Sequence, residues 1–588
     1  MMRRHVLKGS AMFLSAAMLA GMLAGCGAAE RKTGSHEEET AQEQEYARQE
    51  NEQSSTGKTA DVGSYETGDM ASETECVEEI PGVYDGLYEW NDRAAASGNS
   101  EAVKQMNDVE TTYIYPDYYE PESAEEYDKA EENGFCITAV EPLSTFSADV
   151  DTASYANVRR MIEDGYSADR IDPDCVRPEE FINYFSYDLK APGKGDMFGI
   201  TTEVAQCPWN EEHELMMVGM TTQDIDMSKA PDSNLVFLLD VSGSMDESDK
   251  LPLLQKSFKE LVGKLGEHDT VSIVTYASGI NTVLRGANGN DKDKICEAID
   301  SLYAGGGTNG EGGIQKAYEL AEANFIKGGN NRVILATDGD LNIGISEPDE
   351  LEEFISQKRE SGVYLSVLGF GTGNIKDNNM ERLADCGNGN YSYIDSLFEA
   401  KKVLVEEMGS TLLTIAEDVK LQVEFNPQKV NSYRLIGYEN RMLEATDFND
   451  DTKDAGEIGA GHSVVALYEI IPAGAKDEIT LKYQSNIPHN DVLYTDYATV
   501  SVRYKEPGKK ESKKKSYVVA EDAYVEKPSD DFVFASLVAE FAMILSDNDN
   551  KGTSNFEMIL DTYKTLDVDD EYKDEFYYLV KQLVKTCS

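Results

Sequence analysis

Basic residues are scarce in this sequence. The chain of 588 residues has 53 Lys and Arg against 110 Asp and Glu, which gives a formal net charge of −57. Proteins that bind nucleic acid neutralise phosphates with clustered Lys and Arg side chains. A chain this acidic lacks the charge for that task, so we expect no nucleic acid among its partners.

Cysteine and histidine are also few, with eight Cys and six His in the whole chain. Disulfide scaffolds and Cys/His zinc modules need these residues in dense, closely spaced sets. Their sparse distribution excludes both classes. The hydrophobic content of 40% is sufficient for folded cores, and a chain of this length suggests about three or four domains.

Long apolar runs are missing beyond the N-terminus. Ala11 to Gly25 is apolar and follows several basic residues, but it is too short to span a bilayer comfortably. It ends in the sequence L-A-G-C, whose cysteine is Cys26. This resembles the bacterial lipoprotein signal, in which the cysteine is lipidated; the alternative is an ordinary secretory signal. The resemblance implies a signal peptide over residues 1–25 and a chain held on the extracytoplasmic face of the cell membrane by lipid on Cys26.

The segment 26–140 is strongly acidic and, over its first half, nearly free of large apolar residues. Such a composition cannot bury enough surface to offset the entropy of folding. We therefore expect a largely disordered tether. The Tyr-rich stretch from Thr111 to Tyr127 is open to two interpretations, a partner-binding peptide or a loosely ordered linker.

Folded sequence follows in residues 143–225. Ser154 to Ile162 has a helical pattern, and Pro178 to Tyr184 begins with proline and two acids, as helices often do. Gly199 to Val204 and Leu215 to Thr221 alternate like strands. These elements form an N-terminal region that precedes a different pattern.

Strands and helices alternate across residues 232–412. Leu235 to Leu239 is a continuous apolar run, which is typical of a strand buried on both faces. The alternation predicts an α/β fold, a Rossmann-like, doubly wound domain with helices on both faces of a parallel sheet. Such folds bind ligands beyond the carboxyl ends of their strands.

Short strands separated by turns return in residues 415–588, and the chain ends in helices. The predicted strands are Lys420–Phe425, Tyr433–Tyr438, Ser463–Ile471, Glu478–Tyr483 and Ala498–Tyr504. They predict a β-sandwich-like unit with a helical C-terminal region, so the whole chain is multidomain. We hypothesise that strands before and after the α/β domain pair in one sandwich, with that domain inserted between them.

Oxygen-bearing side chains follow several of the strands in the α/β domain. Asp240, Ser242 and Ser244 come directly after the first strand, Thr308 lies in a glycine-rich loop, and Asp338 ends a later strand. These groups are expected at one edge of the sheet. Carboxylate and hydroxyl oxygens suit Mg²⁺ or Mn²⁺, and a site with few direct charges leaves the metal electrophilic.

This donor set resembles the metal-ion-dependent adhesion site (MIDAS) of von Willebrand factor type A (VWA) domains. The resemblance implies that Ser242, Ser244 and Thr308 contact the metal, while Asp240 and Asp338 bind it directly or through water. It also implies that an exposed Asp or Glu of a protein partner completes the coordination of the metal.

The resemblance extends beyond the α/β domain. Thr145 to Tyr187 and Val419 to Ile471 are similar to the N-terminal and C-terminal regions of a bacterial family of VWA lipoproteins. Membership implies a fold and a surface location without a settled activity.

We therefore expect a lipid-anchored surface protein that acts in adhesion or protein binding through a metal. Two alternatives stay open: an accessory subunit of a cell-envelope assembly or remodelling complex, and a metal-dependent hydrolase. We expect no enzyme and no catalytic residues, because His213 is not in an H-E-x-x-H motif and His462 has no identifiable nucleophile.

Overall fold

The computed structural model describes residues 125–129, 131–148, 151–223, 230–339, 348–373, 375–407, 413–476, 479 and 494–586. The predicted signal peptide, Cys26 and most of the acidic segment 26–140 lie outside these residues. So does the predicted strand at Glu478–Tyr483, except for Ile479.

Sixteen strands lie within the described residues and form three sheets. They are β1 (Cys136–Ile137), β2 (Leu143–Ser147), β3 (Phe198–Gln206), β4 (Glu214–Thr222), β5 (Ser233–Asp240), β6 (Thr270–Tyr276), β7 (Ile280–Asn288), β8 (Asn330–Thr337), β9 (Tyr364–Phe370), β10 (Tyr391–Ile394), β11 (Thr414–Phe425), β12 (Val430–Leu435), β13 (Gly456–Gly459), β14 (Ser463–Pro472), β15 (Ala498–Lys505) and β16 (Ser512–Val519).

The α-helices of the described residues come in two groups, one around the middle sheet and one at the two ends of the chain. They are α1 (Ala153–Glu163), α2 (Pro178–Asn183), α3 (Leu251–Lys264), α4 (Lys292–Asp300), α5 (Gly310–Ala323), α6 (Pro348–Arg359), α7 (Asp377–Cys386), α8 (Leu397–Lys401), α9 (Asp530–Leu545), α10 (Phe556–Tyr563) and α11 (Glu571–Thr586).

The middle sheet has the order β10-β9-β8-β5-β6-β7, and all its pairs are parallel except that of β6 with β7. Alternate side chains of β5 enter two different cores. Phe237 and Leu239 pack with α3 and α4, whereas Val236 and Leu238 pack with α5. Helices therefore cover both faces, and the predicted doubly wound α/β fold is confirmed.

The strands that flank this domain in sequence pair with each other. β4 runs antiparallel to β14, with Thr221 opposite Ser463 and Leu215 opposite Glu469. The first sheet has the order β1-β12-β14-β4-β3, so it takes strands from both sides of the α/β domain. The hypothesis that the α/β domain is inserted between the strands of one sandwich is confirmed.

The sandwich has a second layer and a helical cover. Met216 and Val218 of β4 pack against Val423 and Val500 of the second sheet, which has the order β13-β11-β15-β16 with β2 also on β11. The opposite face of β4 packs against α1, α2 and the three C-terminal helices. Residues before and after the α/β domain thus share both cores, and we call this unit the frame.

Two strands were not predicted from the sequence. β7 has only two buried side chains among its nine residues, and β16 contains three consecutive lysines. Both lie at the edge of a sheet, where one side faces solvent and the apolar pattern is weak. Lys509 to Lys515, interpreted as a solvated hairpin tip, therefore includes the start of a paired strand.

Buried arginines join the α/β domain to the frame. Arg159 of α1 contacts Asp395 at 2.5 Å, Glu399 at 2.8 Å and Glu575 of α11 at 3.1 Å. Arg177, just before α2, likewise contacts two acids of α7. Among the residues that the structure describes, none of the helices combines the length and apolar character needed to cross a bilayer.

Candidate metal centre

The loop after β5 gathers three of the predicted donors. Asp240 ends the strand and is fully buried, and its Oδ1 accepts a hydrogen bond of 2.8 Å from the backbone N–H of Ser242. The hydroxyls of Ser242 and Ser244 lie 3.0 Å apart. Met245, which is also fully buried, anchors the far side of this short turn in the core.

The glycine-rich loop before α5 is bonded to the first loop. The N–H of Gly305 donates to the carbonyl of Val241 at 2.9 Å, and the N–H of Gly243 donates to the carbonyl of Gly306 at 3.0 Å. These two bonds carry the half-buried Thr308 to the same edge of the sheet.

Gly306 occupies a conformation that suits glycine. Its φ is +91°, and a Cβ there would lie 2.6 Å from Oγ of Ser278. That hydroxyl also accepts a bond of 2.7 Å from the N–H of Gly307. A side chain at Gly306 would therefore strain the backbone and displace the contact that fixes the loop.

Asp338 follows β8 and is 1% exposed. The preceding residue ties this third loop to the first, because Oγ1 of Thr337 donates to Oδ2 of Asp240 at 3.2 Å. Asp338 itself accepts from Nζ of Lys250 at 3.1 Å, in a pair whose side chains are both buried.

The electrostatics of the site are unbalanced. Asp240 and Asp338 are buried together, and Lys250 is the cation that pairs with them in the described contacts. Burial raises the pKa of the Asp240 carboxyl to about 6, and the charge of Asp338 adds to this rise, while hydrogen bonds from Ser242 oppose it. One buried carboxylate in excess of the buried cation is costly unless another positive charge is bound.

The donor set fits a hard divalent cation. Two carboxylates and three hydroxyls from three strand ends offer the oxygen ligands that Mg²⁺ prefers. Within the described residues no group of three or more His, Cys, Asp or Glu is placed to hold a metal, because three of the donors here are hydroxyls. The structure brings Asp240, Ser242, Ser244, Thr308 and Asp338 to one edge, and their role as ligands stays a prediction.

The sequence analysis did not identify Lys250 or Thr337 as parts of this site. Lys250 stands just before α3, where the helix dipole disfavours a positive charge. That misplaced cation was the available signal. Its partner lies 88 residues away, so the pair itself was not visible in the sequence.

His213 has a different role from a metal or catalytic residue. Its Nδ1 pairs with the buried Glu469, which also accepts from Arg434 at 2.6 Å. Burial alone would raise the pKa of Glu469, but the bonds from His213 and Arg434 lower it. This buried triad lies in the frame and fixes β12 to β14.

The sheet order and the donor loops define a VWA domain, and comparisons with known proteins agree. The VWA domain profile matches residues 234–407, a von Willebrand factor profile matches residues 121–217, and the profile "Uncharacterized protein YfbK, C-terminal" matches residues 410–585. VWA domains commonly mediate protein interactions, often bind a divalent metal, and are generally not enzymes.

The chain is 42% identical to the YfbK protein of Escherichia coli (strain K12) over 469 residues, which cover 77% of this chain and 80% of that protein. It therefore belongs to the family of VWA proteins that carry the YfbK C-terminal region. Inter-alpha-trypsin inhibitor heavy chain H3 of Mesocricetus auratus is 27% identical over 159 residues, 26% of this chain and 18% of that one. A solved von Willebrand factor type A structure from Catenulispora acidiphila is 14% identical, with a TM-score of 0.37 over 68% of this chain and 98% of that one.

Proposed function

We propose that this chain is a surface lipoprotein whose metal centre binds a protein partner. An exposed Asp or Glu of the partner would complete the coordination of Mg²⁺. The observation that carries the proposal is the excess buried carboxylate at a sheet edge lined by hydroxyl groups. A buried negative charge of this kind stabilises a bound cation and lowers the stability of the protein without one.

Each donor has a defined part in the proposal. Ser242, Ser244 and Thr308 would hold Mg²⁺ through their hydroxyls, and Asp240 and Asp338 would supply the negative charge. Ser244 and Thr308 are both half-buried, so the donor edge reaches the protein surface. The metal would supply an electrophilic position for a carboxylate oxygen from outside the chain.

The proposal concerns binding, not turnover. The side chains gathered at the site are oxygen donors, and Lys250 is held by Asp338. Turnover of generic ester or phosphodiester substrates with Mn²⁺, lost in Asp240→Asn, would contradict this and favour the hydrolase alternative.

Metal binding is tested by calorimetry on the full-length chain with Mg²⁺ and with Mn²⁺. We expect binding by the wild type and a loss of at least a hundredfold in Asp240→Asn. Asp246→Asn is the matched control, because Asp246 is exposed in the same loop. Equal binding by wild type and Asp240→Asn would place the metal elsewhere, and the proposed centre would fall.

The lipid anchor is a separate part of the proposal and rests on the L-A-G-C sequence at Cys26. Membrane fractionation of cells producing the wild type or Cys26→Ala tests it. We expect the wild type in the membrane fraction and the variant as an uncleaved or released form. An identical distribution and identical mass of the two mature chains would exclude lipidation at Cys26.

A further inference from the structure

Lys250 is a buried lysine in a position that is unfavourable for a cation. It is 3% exposed and stands immediately before α3, at the positive end of the helix dipole. Lysines are almost never fully buried unless they are paired. The partner is Asp338, whose Oδ2 lies 3.1 Å from the ammonium.

The fold makes room for this side chain. Gly371 follows β9 with a φ of +76°, and a Cβ there would lie 2.3 Å from Cγ and 2.4 Å from Cε of Lys250. The carbonyl of Gly371 accepts a bond of 2.8 Å from Tyr393, which holds the glycine in place. The stem of Lys250 therefore passes through a gap without a side chain, and its ammonium has a fixed position.

This ammonium changes the charge of the site when a metal is bound. Two carboxylates alone would neutralise a divalent ion. With Lys250 present, the same donors leave one net positive charge in a buried environment, where the effective dielectric is low. Such a site binds the metal less tightly, and it attracts an external carboxylate more strongly.

We propose that Lys250 is a specificity-determining residue of the metal centre: its ammonium reduces the affinity for the metal and keeps the loaded site positive, which selects a carboxylate-bearing partner. The inference rests on the proposed function and deepens it. It assigns the preference for an acidic partner to a residue outside the donor set.

The test uses Mn²⁺ as the metal and acetate as the carboxylate probe, on the full-length chain. Calorimetry gives the Mn²⁺ affinity, and the relaxation of the acetate methyl protons by bound Mn²⁺ gives the acetate affinity. In Lys250→Met, which keeps the stem and removes the charge, we expect Mn²⁺ to bind about tenfold tighter and acetate about tenfold weaker. Lys250→Arg keeps the charge and should retain acetate binding.

The double variant Lys250→Met with Asp338→Asn separates charge from damage to the fold. It removes one positive and one negative charge, so the loaded site has the same net charge as in the wild type. We expect it to recover acetate binding to within about threefold of the wild type, whereas structural damage would leave it as weak as Lys250→Met or weaker. It also leaves no buried charge unpaired if the single variant folds poorly.

The outcomes distinguish the two proposals. If the wild type binds Mn²⁺ but Lys250→Met binds Mn²⁺ and acetate with unchanged affinity, the inference is overturned and the metal centre stands. If Lys250→Met loses both affinities and the double variant does not recover them, Lys250 is structural and the inference is again overturned. If the wild type binds no Mn²⁺, both proposals fail together.

Discussion

The frame and the metal edge both bury charged side chains, but they treat them differently. At the junction with the frame, Arg159 is bonded to Asp395, Glu399 and Glu575, so a buried cation is surrounded by acids that satisfy it. At the metal edge, Asp240 and Asp338 share a single lysine, and Asp240 is bonded to hydroxyl and backbone groups. The difference teaches that burial alone does not mark a functional charge; incomplete compensation does.

Opposite effects of mutation follow from this comparison. Removing a charge from a satisfied network leaves its partners buried without a counter-ion, which destabilises the fold. Removing the uncompensated charge from the metal edge relieves an existing cost, so it stabilises the protein and abolishes metal binding.

The largest effect is expected at the junction. Arg159→Met should lower the free energy of unfolding by about 3–5 kcal/mol, because it leaves the buried Asp395 and Glu399 unpaired. Urea unfolding measures the loss. Arg382→Met is the matched control, since Arg382 is 50% exposed in its pair with Glu352 and should change stability little. Equal effects in both variants would end the distinction between satisfied and surface pairs.

A buried acid without a cation inside the frame sharpens the comparison. Burial raises the pKa of Glu540 in α9 to about 7. The folded state therefore takes up a proton that the unfolded state does not between about pH 4.5 and pH 7, so this group favours folding at low pH and opposes it as the pH rises to 7. Glu540→Gln should raise the free energy of unfolding by about 3 kcal/mol at pH 8 and by little at pH 4.5.

The measurement is the unfolding free energy of wild type and Glu540→Gln as a function of pH. Glu557→Gln, at an exposed position of α10, is the control and should follow the wild type. A Glu540→Gln curve parallel to that of the wild type across this range would show that Glu540 is not the group responsible.

A smaller stabilisation is expected at the metal edge. In chelator at pH 8, Asp240→Asn should raise the free energy of unfolding by about 2 kcal/mol, since it removes a carboxylate whose pKa burial raises to about 6. Urea unfolding in EDTA measures it, with Asp246→Asn as the exposed control. Destabilisation by Asp240→Asn in EDTA would mean that this charge is already compensated, as the frame charges are.

The smallest stability effect concerns the loop geometry that holds Thr308. Gly306→Ala should cost about 1–2 kcal/mol, because its φ of +91° and the 2.6 Å approach to Ser278 exclude a Cβ. Metal affinity should fall with it. Gly305→Ala is the matched control, since a Cβ there meets nothing within 4 Å. Metal binding that is equal in the two alanine variants would show that this loop does not position a donor.

Much of the architecture was predictable because its signals are local. The apolar run Leu235–Leu239 indicated a central strand, and that strand enters two cores. The change from alternating strands and helices to short strands indicated the insertion, which the pairing of β4 with β14 confirms. The donor residues could be named because a hydroxyl and carboxylate pattern at strand ends has a chemical meaning in itself.

The parts that could not be predicted depend on distant pairs or weak patterns. Arg159 meets Glu575 across 416 residues, and Lys250 meets Asp338 across 88. Nothing in the local sequence specifies either partner. The lysine-rich β16 is paired through its backbone, so its side chains give little sign of a strand. The compensation of each buried charge, which separates the two regions, is therefore a property of the folded chain.

The most direct test of this account is the stabilisation of the protein by Mg²⁺. Urea unfolding of the full-length chain is measured in EDTA and in Mg²⁺ at about one hundred times its dissociation constant. The account predicts that Mg²⁺ raises the free energy of unfolding of the wild type by about 3 kcal/mol and leaves Asp240→Asn unchanged. A wild type that Mg²⁺ does not stabilise, or an Asp240→Asn variant stabilised to the same extent, would contradict the central claim that the uncompensated carboxylate is there to bind a metal.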